Sequence, residues 1–338
     1  MTENANDPVS LVTGGAGFIG SHVVDELLKM GHRVVVLDDL SGGFQSNISE
    51  EALFILGSIT DQQLVNKIFD KFKVDYVFHL AAYAAEGLSH FIRNFNYQNN
   101  LIGSVNLINA SVNFNVKCFV FTSSIAVYGN AEPPMSEKTI PNPIDPYGIA
   151  KYAVELDLKN AHSLFGLNSI VFRPHNVYGS RQNIGDKYRN VAGIFMNQVL
   201  KGEALTIFGD GKQSRAFTHI DDLAPYIAKS IDNENAYNQS FNIGSDEVHT
   251  VHELAEAISA VMEEQPSIRH LDQREEVVHA FSDHAKFNST FQPKESVSLI
   301  DGLKEMYSWV KEHGSKESPS FGNIEIEKHL PSAWKTKE

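Results

Sequence analysis

Cysteine occurs once in these 338 residues, as Cys118, so no internal disulfide framework is available. A lone cysteine suits a reducing compartment, and the expected location is the cytoplasm. Positive charge is also scarce: 28 Lys and Arg stand against 42 Asp and Glu, a formal net charge of −14. Duplex nucleic acid demands a basic footprint, so nucleic acid is not an expected partner. No apolar run approaches the roughly 18 residues of a membrane span, and no membrane partner is expected. The stretch from Met1 to Pro8 is polar and acidic, unlike a secretory signal or a transit peptide. Repeats and low-complexity tracts are missing as well. A 42% hydrophobic and 21% charged composition remains, ordinary for a globular protein of one large or two smaller domains.

Apolar runs alternate with amphipathic stretches from the start. Strands are predicted at Ser10–Thr13, Arg33–Leu37, Leu53–Leu56, Tyr76–Leu80, Phe119–Thr122 and Ser169–Phe172. Helical patterns lie between most of them, at Phe18–Met30, Asp61–Phe72, Phe91–Asn113 and Pro146–Phe165. Continuous β-rich runs joined by crossover helices predict an α/β fold with a doubly wound parallel sheet. Its ligand crevice lies at the carboxyl ends of the strands. After about residue 175 the pattern loosens, with loops at Gly179–Lys187 and Gly209–Ser214. Further helices are predicted at Asn190–Leu200, Asp221–Ser230, Val251–Met262 and Val297–His313. The expected division is a nucleotide-binding domain over 8–175, with a later contribution from about 216–244. A smaller mixed substrate domain covers 176–313, and 314–338 reads as a polar surface tail.

Thr13-Gly14-Gly15-Ala16-Gly17-Phe18-Ile19-Gly20 joins the first strand to the first helix. Gly14 permits a tight turn, Gly17 lets backbone approach a pyrophosphate, and Gly20 allows close helix–strand packing. The phosphates would sit on the free N–H groups of the helix N-terminus. Asp38 ends the next strand, 18 residues beyond Gly20, where an acid can bind ribose hydroxyls. No Arg follows to meet a 2′-phosphate, which favours NAD over NADP.

Thr122-Ser123-Ser124 ends the fifth strand, and Asp145-Pro146-Tyr147-Gly148-Ile149-Ala150-Lys151 opens a helix. Asp145 suits the cap and Pro146 the first helical position. Tyr147 and Lys151, four apart, face the same way. The lysine ammonium, the helix N-terminus and a bound nicotinamide ring are each expected to lower the phenol's pKa, making Tyr147 a general base for a sugar hydroxyl. Ser124 can relay the proton. Tyr307 and Lys311 share the spacing but lack a strand-end serine, and read as a solvated helix face.

The glycine turn, Asp38, His79-Leu80-Ala81-Ala82, Asn99, Thr122-Ser123-Ser124, Val127-Tyr128-Gly129 and Tyr147-x-x-x-Lys151 together resemble the extended short-chain dehydrogenase/reductase family. Arg173-Pro174-His175-Asn176-Val177-Tyr178-Gly179 and Gly209-Asp210-Gly211-x-x-x-Arg215-x-Phe217 resemble its nucleotide-sugar branch, over roughly residues 9–313. The resemblance implies an N-terminal Rossmann domain, bound NAD and a homodimer paired through Phe91–Asn113 and Pro146–Phe165. It assigns the cofactor to Gly14, Gly17, Phe18, Ile19, Asp38, Ser58, Ile59, Leu80, Ala81, Ala82, Asn99, Tyr147, Lys151 and Pro174. It makes Ser124, Tyr147 and Lys151 catalytic, and sets Asn176, Arg215 and Arg274 on the diphosphate of a UDP-sugar. Tyr83 and Glu86, in a loop unlike that of galactose epimerases, would border the sugar. Ala280 stands where glucose-only epimerases carry a bulky gatekeeper, so an N-acetyl group would be admitted.

Related dehydratases, decarboxylases and 3,5-epimerases carry an Asp-Glu pair, a Glu or a Cys just after the serine. Here Ile125 and Ala126 cannot move protons. The resemblance therefore implies reversible oxidation at one carbon, a 4-epimerase. The alternatives are a UDP-uronate 4-epimerase, with Arg93 or Arg181 on the carboxylate, a 4-ketosugar oxidoreductase, and a silent NAD-binding regulator. His175 reads as a supporting residue. His252-Glu253-Leu254-Ala255-Glu256 lacks the second histidine of a zinc protease motif, and no metal site is expected.

Overall fold

A computed structural model describes residues 7–273, 276–317 and 319–335. Seven strands form its main sheet: β1 (Val9–Thr13), β2 (Arg33–Asp38), β3 (Leu53–Leu56), β4 (Tyr76–His79), β5 (Cys118–Thr122), β6 (Ser169–Pro174) and β7 (Gln239–Ile243). Their order is β7-β6-β5-β4-β1-β2-β3, and every pair is parallel. Successive residues of a strand feed opposite cores, because side chains alternate with a period of two. Val12, Val34, Val36, Phe78, Val120, Ile170 and Phe172 enter one core. Leu11, Val35, Leu37, Val77, Phe119, Phe121 and Val171 enter the other. The unbroken apolar runs in the sequence are thus two interleaved faces, each covered by helices.

The first core is closed by α1 (Phe18–Lys29) and, from much later in the chain, α6 (Ala224–Lys229). The second is closed by α2 (Gln62–Phe72), α3 (Gly103–Asn113) and α4 (Pro146–Phe165). The helix predicted over Phe91–Asn113 runs without a gap from Arg93 to Asn113, with a π-helical turn within it. A turn of helix at Arg93–Tyr97 passes through a π-helical turn at Gln98–Ile102 before α3 begins. The side chain of Asn100, within that wider turn, accepts from the Tyr83 amide at 2.8 Å and donates to the Tyr83 carbonyl at 3.1 Å. The irregularity fixes a loop at the carboxyl end of β4, consistent with the habit of π-turns to occur where a helix meets a site.

The strand order reverses between β1 and β4, and such a switch point opens a crevice at the strand ends. His79 bridges it, with Nδ1 at 2.7 Å from Thr13 Oγ1 and Nε2 at 2.8 Å from Ser104 Oγ. Full burial holds the imidazole neutral, its pKa pushed far down.

A third core joins α5 (Val191–Leu200), α7 (Val251–Met262) and α8 (Leu299–His313) through Phe195, Met196, Leu254, Ile258, Leu303 and Met306. Small sheets flank it. Leu205–Phe208 pairs with Ile268–Leu271, and Ser214–Ala216 lies between Val248–Thr250 and His279–Ala280. The segment after residue 313, expected as a polar surface tail, is mostly exposed but is anchored to the body of the protein. Residues 319–335 fold back, burying Leu330 and Trp334 in a cluster with Tyr83, Phe91, Phe95, Tyr188 and Phe321. Glu325 accepts the amides of Asn94 and Phe95 at 2.7 and 2.8 Å. A mostly polar composition concealed a few widely spaced apolar anchors, and these decide where the segment goes.

Arg173, at the end of β6, is buried against Glu155 of α4, with Nε–Oε1 at 3.0 Å and Nη2–Oε2 at 2.5 Å. Ser123 donates to the same carboxylate at 2.5 Å, and Tyr128 accepts from Nη1 at 2.7 Å. Removing one charge strands the other in a medium that cannot solvate it. Glu155→Ala is expected to lower the unfolding free energy by about 3–5 kcal/mol in urea denaturation. A loss below about 1 kcal/mol would show that the pair is solvated and does not tie α4 to the sheet.

Candidate active site

The turn after β1 is built as its glycines require. Gly14 has φ +73°, and a Cβ there would lie 2.6 Å from the Ala81 amide nitrogen. A Cβ on Gly20 would sit 2.0 Å from the Gly14 carbonyl oxygen. The first-turn amides of α1 therefore face an open cavity of about 430 Å³. At the end of β2, Asp38 accepts the Ala16 amide at 3.0 Å and the Leu40 amide at 2.8 Å. Burial raises its carboxyl pKa, and the backbone N–H bonds oppose that rise.

Along this one cavity the structure brings together Gly14, Gly17, Phe18, Ile19, Asp38, Ser58, Ile59, Leu80, Ala81, Ala82, Asn99 and Pro174. Ser124, Tyr147, Lys151, Tyr83, Glu86, Asn176 and Arg215 line it too. Arg274 lies outside the described residues.

Asp145 caps α4 by accepting the Gly148 amide at 2.9 Å, with Pro146 opening the helix. That cap fixes the direction of the first turn and buries Tyr147 at the crevice. Ser124, on the turn after β5, hydrogen-bonds the Tyr147 phenol. Its Oγ also accepts the Ala126 amide at 3.1 Å. Lys151 Nζ donates to the Thr122 carbonyl at 2.7 Å and stands 5.8 Å from the centre of the Tyr147 ring.

The protein's own groups act on the phenol in both directions. Burial dominates and pushes the Tyr147 pKa well above the ordinary range. The Ser124 hydrogen bond pulls it down, Glu86 and Asp145 push it up, and Arg189 pulls it down. Lys151 is itself lowered to about 7 by burial, with the Glu155 charge opposing. Burial of the phenol, the largest influence on it, is what keeps it protonated among the protein groups alone.

Several proposed residues are not brought to the cavity. Arg93 is exposed, and Arg181 pairs with Asp25 at 2.7 Å. Ala280 is in register with Arg215 and packs beside Val127 and Tyr128, away from the cavity. Tyr307 packs on the third core and Lys311 is exposed. His175 is buried behind the site, 3.0 Å from His284 and 2.9 Å from the Ala216 carbonyl, with burial lowering its pKa to about 4. Among the described residues, one group has metal-ligand character: His219, Asp221 and Glu305. It lies off the cavity, and the acids sit 3.8 Å from opposite ring nitrogens, which suits an imidazole between two carboxylates better than one shared ion.

Sequence reasoning missed Arg189. It lines the cavity, pairs with Asp186 at 2.5 Å and lies over the Tyr83 ring at 4.8 Å. Only the i, i+3 spacing of Asp186 and Arg189, just before α5, offered a signal.

Three comparisons bear on this site. Residues 10–244 match the family described as the NAD dependent epimerase/dehydratase family. The crystal structure of UDP-glucose 4-epimerase from Thermotoga maritima with UDP-glucose superposes with a TM-score of 0.85 at 36% identity, covering 90% of this chain and 99% of that one. The UDP-N-acetylglucosamine 4-epimerase of Methanobrevibacter ruminantium, in complex with UDP-N-acetylmuramic acid, gives 0.84 at 34%, covering 91% and 99%. A UDP-N-acetyl-alpha-D-glucosaminuronate decarboxylase of Bacillus cytotoxicus is 31% identical over 89% of this chain and 97% of its own length.

The depressed Lys151 pKa has a stability signature. Unfolded, the amine titrates near 10.4; folded, near 7. The unfolded chain binds the extra proton between those values, so a destabilisation that is complete below about pH 7 fades as pH rises. In the cofactor-free protein, Lys151→Met should remove about 1–3 kcal/mol of stability gain between pH 7 and 9. Equal pH slopes for variant and parent in denaturant melts would contradict the burial of this amine.

Proposed function

Because the chain belongs to the NAD dependent epimerase/dehydratase family, we propose that it is an NAD-dependent 4-epimerase of a UDP-sugar. One observation carries the reading. The Tyr147 phenol and Ser124 hydroxyl meet at the cavity, and the next residues, Ile125 and Ala126, are buried apolar side chains. Dehydration or decarboxylation would require a further acid or base at that point. Only proton transfer to and from one hydroxyl is provided for.

Tyr147 takes the proton from O4 as the C4–H bond breaks. Ser124 holds the same oxygen and relays the proton. The bound dinucleotide would supply the hydride acceptor and a positive ring beside the phenol. Lys151, anchored on the Thr122 carbonyl, orients the tyrosine side of the pocket. The planar 4-keto sugar turns over while its diphosphate stays tethered; on its opposite face C4 takes back the hydride that the reduced dinucleotide would supply, and Tyr147 returns its proton to O4. Asn176 and Arg215, which line the cavity, suit the tether, since a guanidinium matches phosphate oxygens.

A neutral sugar is the first reading, since Glu86 acts on the phenol and Arg93 and Arg181 lie off the cavity; Arg189, which lines the cavity and also acts on the phenol, keeps a uronate as the second. We read 8–175 with 216–244 as the cofactor domain and 176–313 as the sugar-nucleotide domain. A homodimer through α4 would cover Ile149, Leu156, Leu164 and Phe165, large apolar side chains left exposed on one helix. The single buried Cys118 suits the cytoplasm.

Purified protein, with no NAD added, should invert C4 of a UDP-hexose or UDP-N-acetylhexosamine in deuterium oxide without placing deuterium at C3 or C5. Tyr147→Phe should reduce kcat by about 10²–10⁴-fold, the usual contribution of a general base, while the fold and bound NAD persist. Deuterium at C3 or C5, or a fully active Phe variant, would overturn the proposal.

A further inference from the structure

Two diphosphates must be accommodated if the cavity takes both NAD and a UDP-sugar, yet this is an acidic protein. Among the described residues, the lysine and arginine side chains lining the cavity are Lys151, Arg189 and Arg215. Lys151 is committed to the Thr122 carbonyl. Arg215 lies in the small mixed sheet, its guanidinium on the Val277 and Val278 carbonyls at 2.6 and 2.8 Å. Arg189 acts on the Tyr147 phenol but holds no cofactor or substrate group in the reading so far.

Its position is tightly defined. Nε and Nη2 both meet Asp186 Oδ2, at 2.6 and 2.5 Å. The guanidinium covers the Tyr83 ring, which stands where β4 runs into the crevice. The guanidinium also meets Gly42: a Cβ there would be 3.0 Å from Nη2 and 3.3 Å from Nη1. Gly43, the next residue, is pressed onto the glycine turn so closely that its Cβ would lie 2.3 Å from the Ala16 carbonyl oxygen and 2.6 Å from the Gly17 amide nitrogen. The guanidinium therefore stands one residue's breadth from the turn whose amides would hold a pyrophosphate. Nη1 makes no hydrogen bond among the described residues. One edge of the fork is fixed by a carboxylate and the other is left for an acceptor, the geometry arginine uses for phosphate.

The loop carrying Arg189 is held from behind by the C-terminal segment. Tyr188 Oη accepts the Phe321 amide at 2.9 Å, Lys187 donates to Ser320 at 2.9 Å, and the Tyr188 and Trp334 rings meet at 5.3 Å.

We infer that Arg189 clamps the pyrophosphate of the dinucleotide from the side opposite the glycine turn, and that residues 319–335 position it. The inference rests on the cavity taking NAD. It gives a reason for the segment to fold back, and it supplies the cofactor side with a cation that the glycine turn lacks.

The test is calorimetric titration of the full chain, stripped of nucleotide, with NAD, ADP, adenosine and UDP. Arg189→Gln should weaken NAD and ADP about 10–100-fold, the range of a hydrogen bond to a charged group, and leave adenosine and UDP unchanged. Arg189→Lys should recover part of that loss, and it replaces the Gln variant if that fails to fold. Trp334→Ala should weaken NAD and ADP in the same direction. A loss confined to UDP would assign Arg189 to the sugar nucleotide and overturn the inference. So would NAD and ADP affinities unaltered in Arg189→Gln. A parent protein that binds UDP but no NAD would instead sink the underlying reading of the cavity.

Discussion

A buried phenol that the protein alone keeps protonated is the constraint on which the rest of this structure depends. Tyr147 is enclosed by α4, the turn after β5 and the loop after β4, and enclosure raises the cost of its ionised form. Lys151 does not supply a full compensating charge, because the same enclosure lowers its own pKa to about 7. A site of this kind is quiet until a positive group arrives beside the phenol. It then has a base at the sugar hydroxyl and almost no solvent to compete for the proton. The buried Glu155–Arg173 pair stands behind this arrangement, fixing the helix that carries both Tyr147 and Lys151 to the strand that ends in Pro174.

The same scarcity of charge shapes the binding surfaces. An acidic protein that handles two diphosphates cannot rely on its overall field. It uses helix-terminal amides at the glycine turn, and arginines whose forks are pre-oriented by a neighbouring carboxylate or by backbone carbonyls. Arg189 on Asp186 and Arg215 on Val277 and Val278 are variations of that solution, one near the glycine turn and one in the small mixed sheet. Both arginines are carried by segments that follow β6 in the chain and line the same cavity.

Much of this was legible in the sequence, for identifiable reasons. The six predicted strands were found within a residue or two, since buried parallel strands are continuous apolar runs and the punctuating glycines and caps are local. Asp145, Pro146 and the Tyr147–Lys151 pair could be placed on one helix turn because capping and i, i+4 spacing are local rules. What escaped notice was non-local. The placing of the loop after β4 depends on Asn100 reaching the Tyr83 backbone, which no periodicity reports. The return of residues 319–335 depends on Phe321, Ile324, Leu330 and Trp334 finding a cluster formed by three other segments. Arg189 enters the cavity by the same three-dimensional accident of loop placement, while Arg93, equally visible in the sequence, ends on the surface. Burial of the phenol and of its lysine neighbour is likewise a three-dimensional property that residue spacing does not carry.

The most direct measurement is an ultraviolet titration of tyrosinate in the parent protein minus Tyr147→Phe, with and without NAD⁺. The account predicts a single difference phenol that titrates above the ordinary tyrosine range alone and near neutrality with NAD⁺ bound. The same titration in both states, or a phenol already ionised at neutral pH without the dinucleotide, would contradict it.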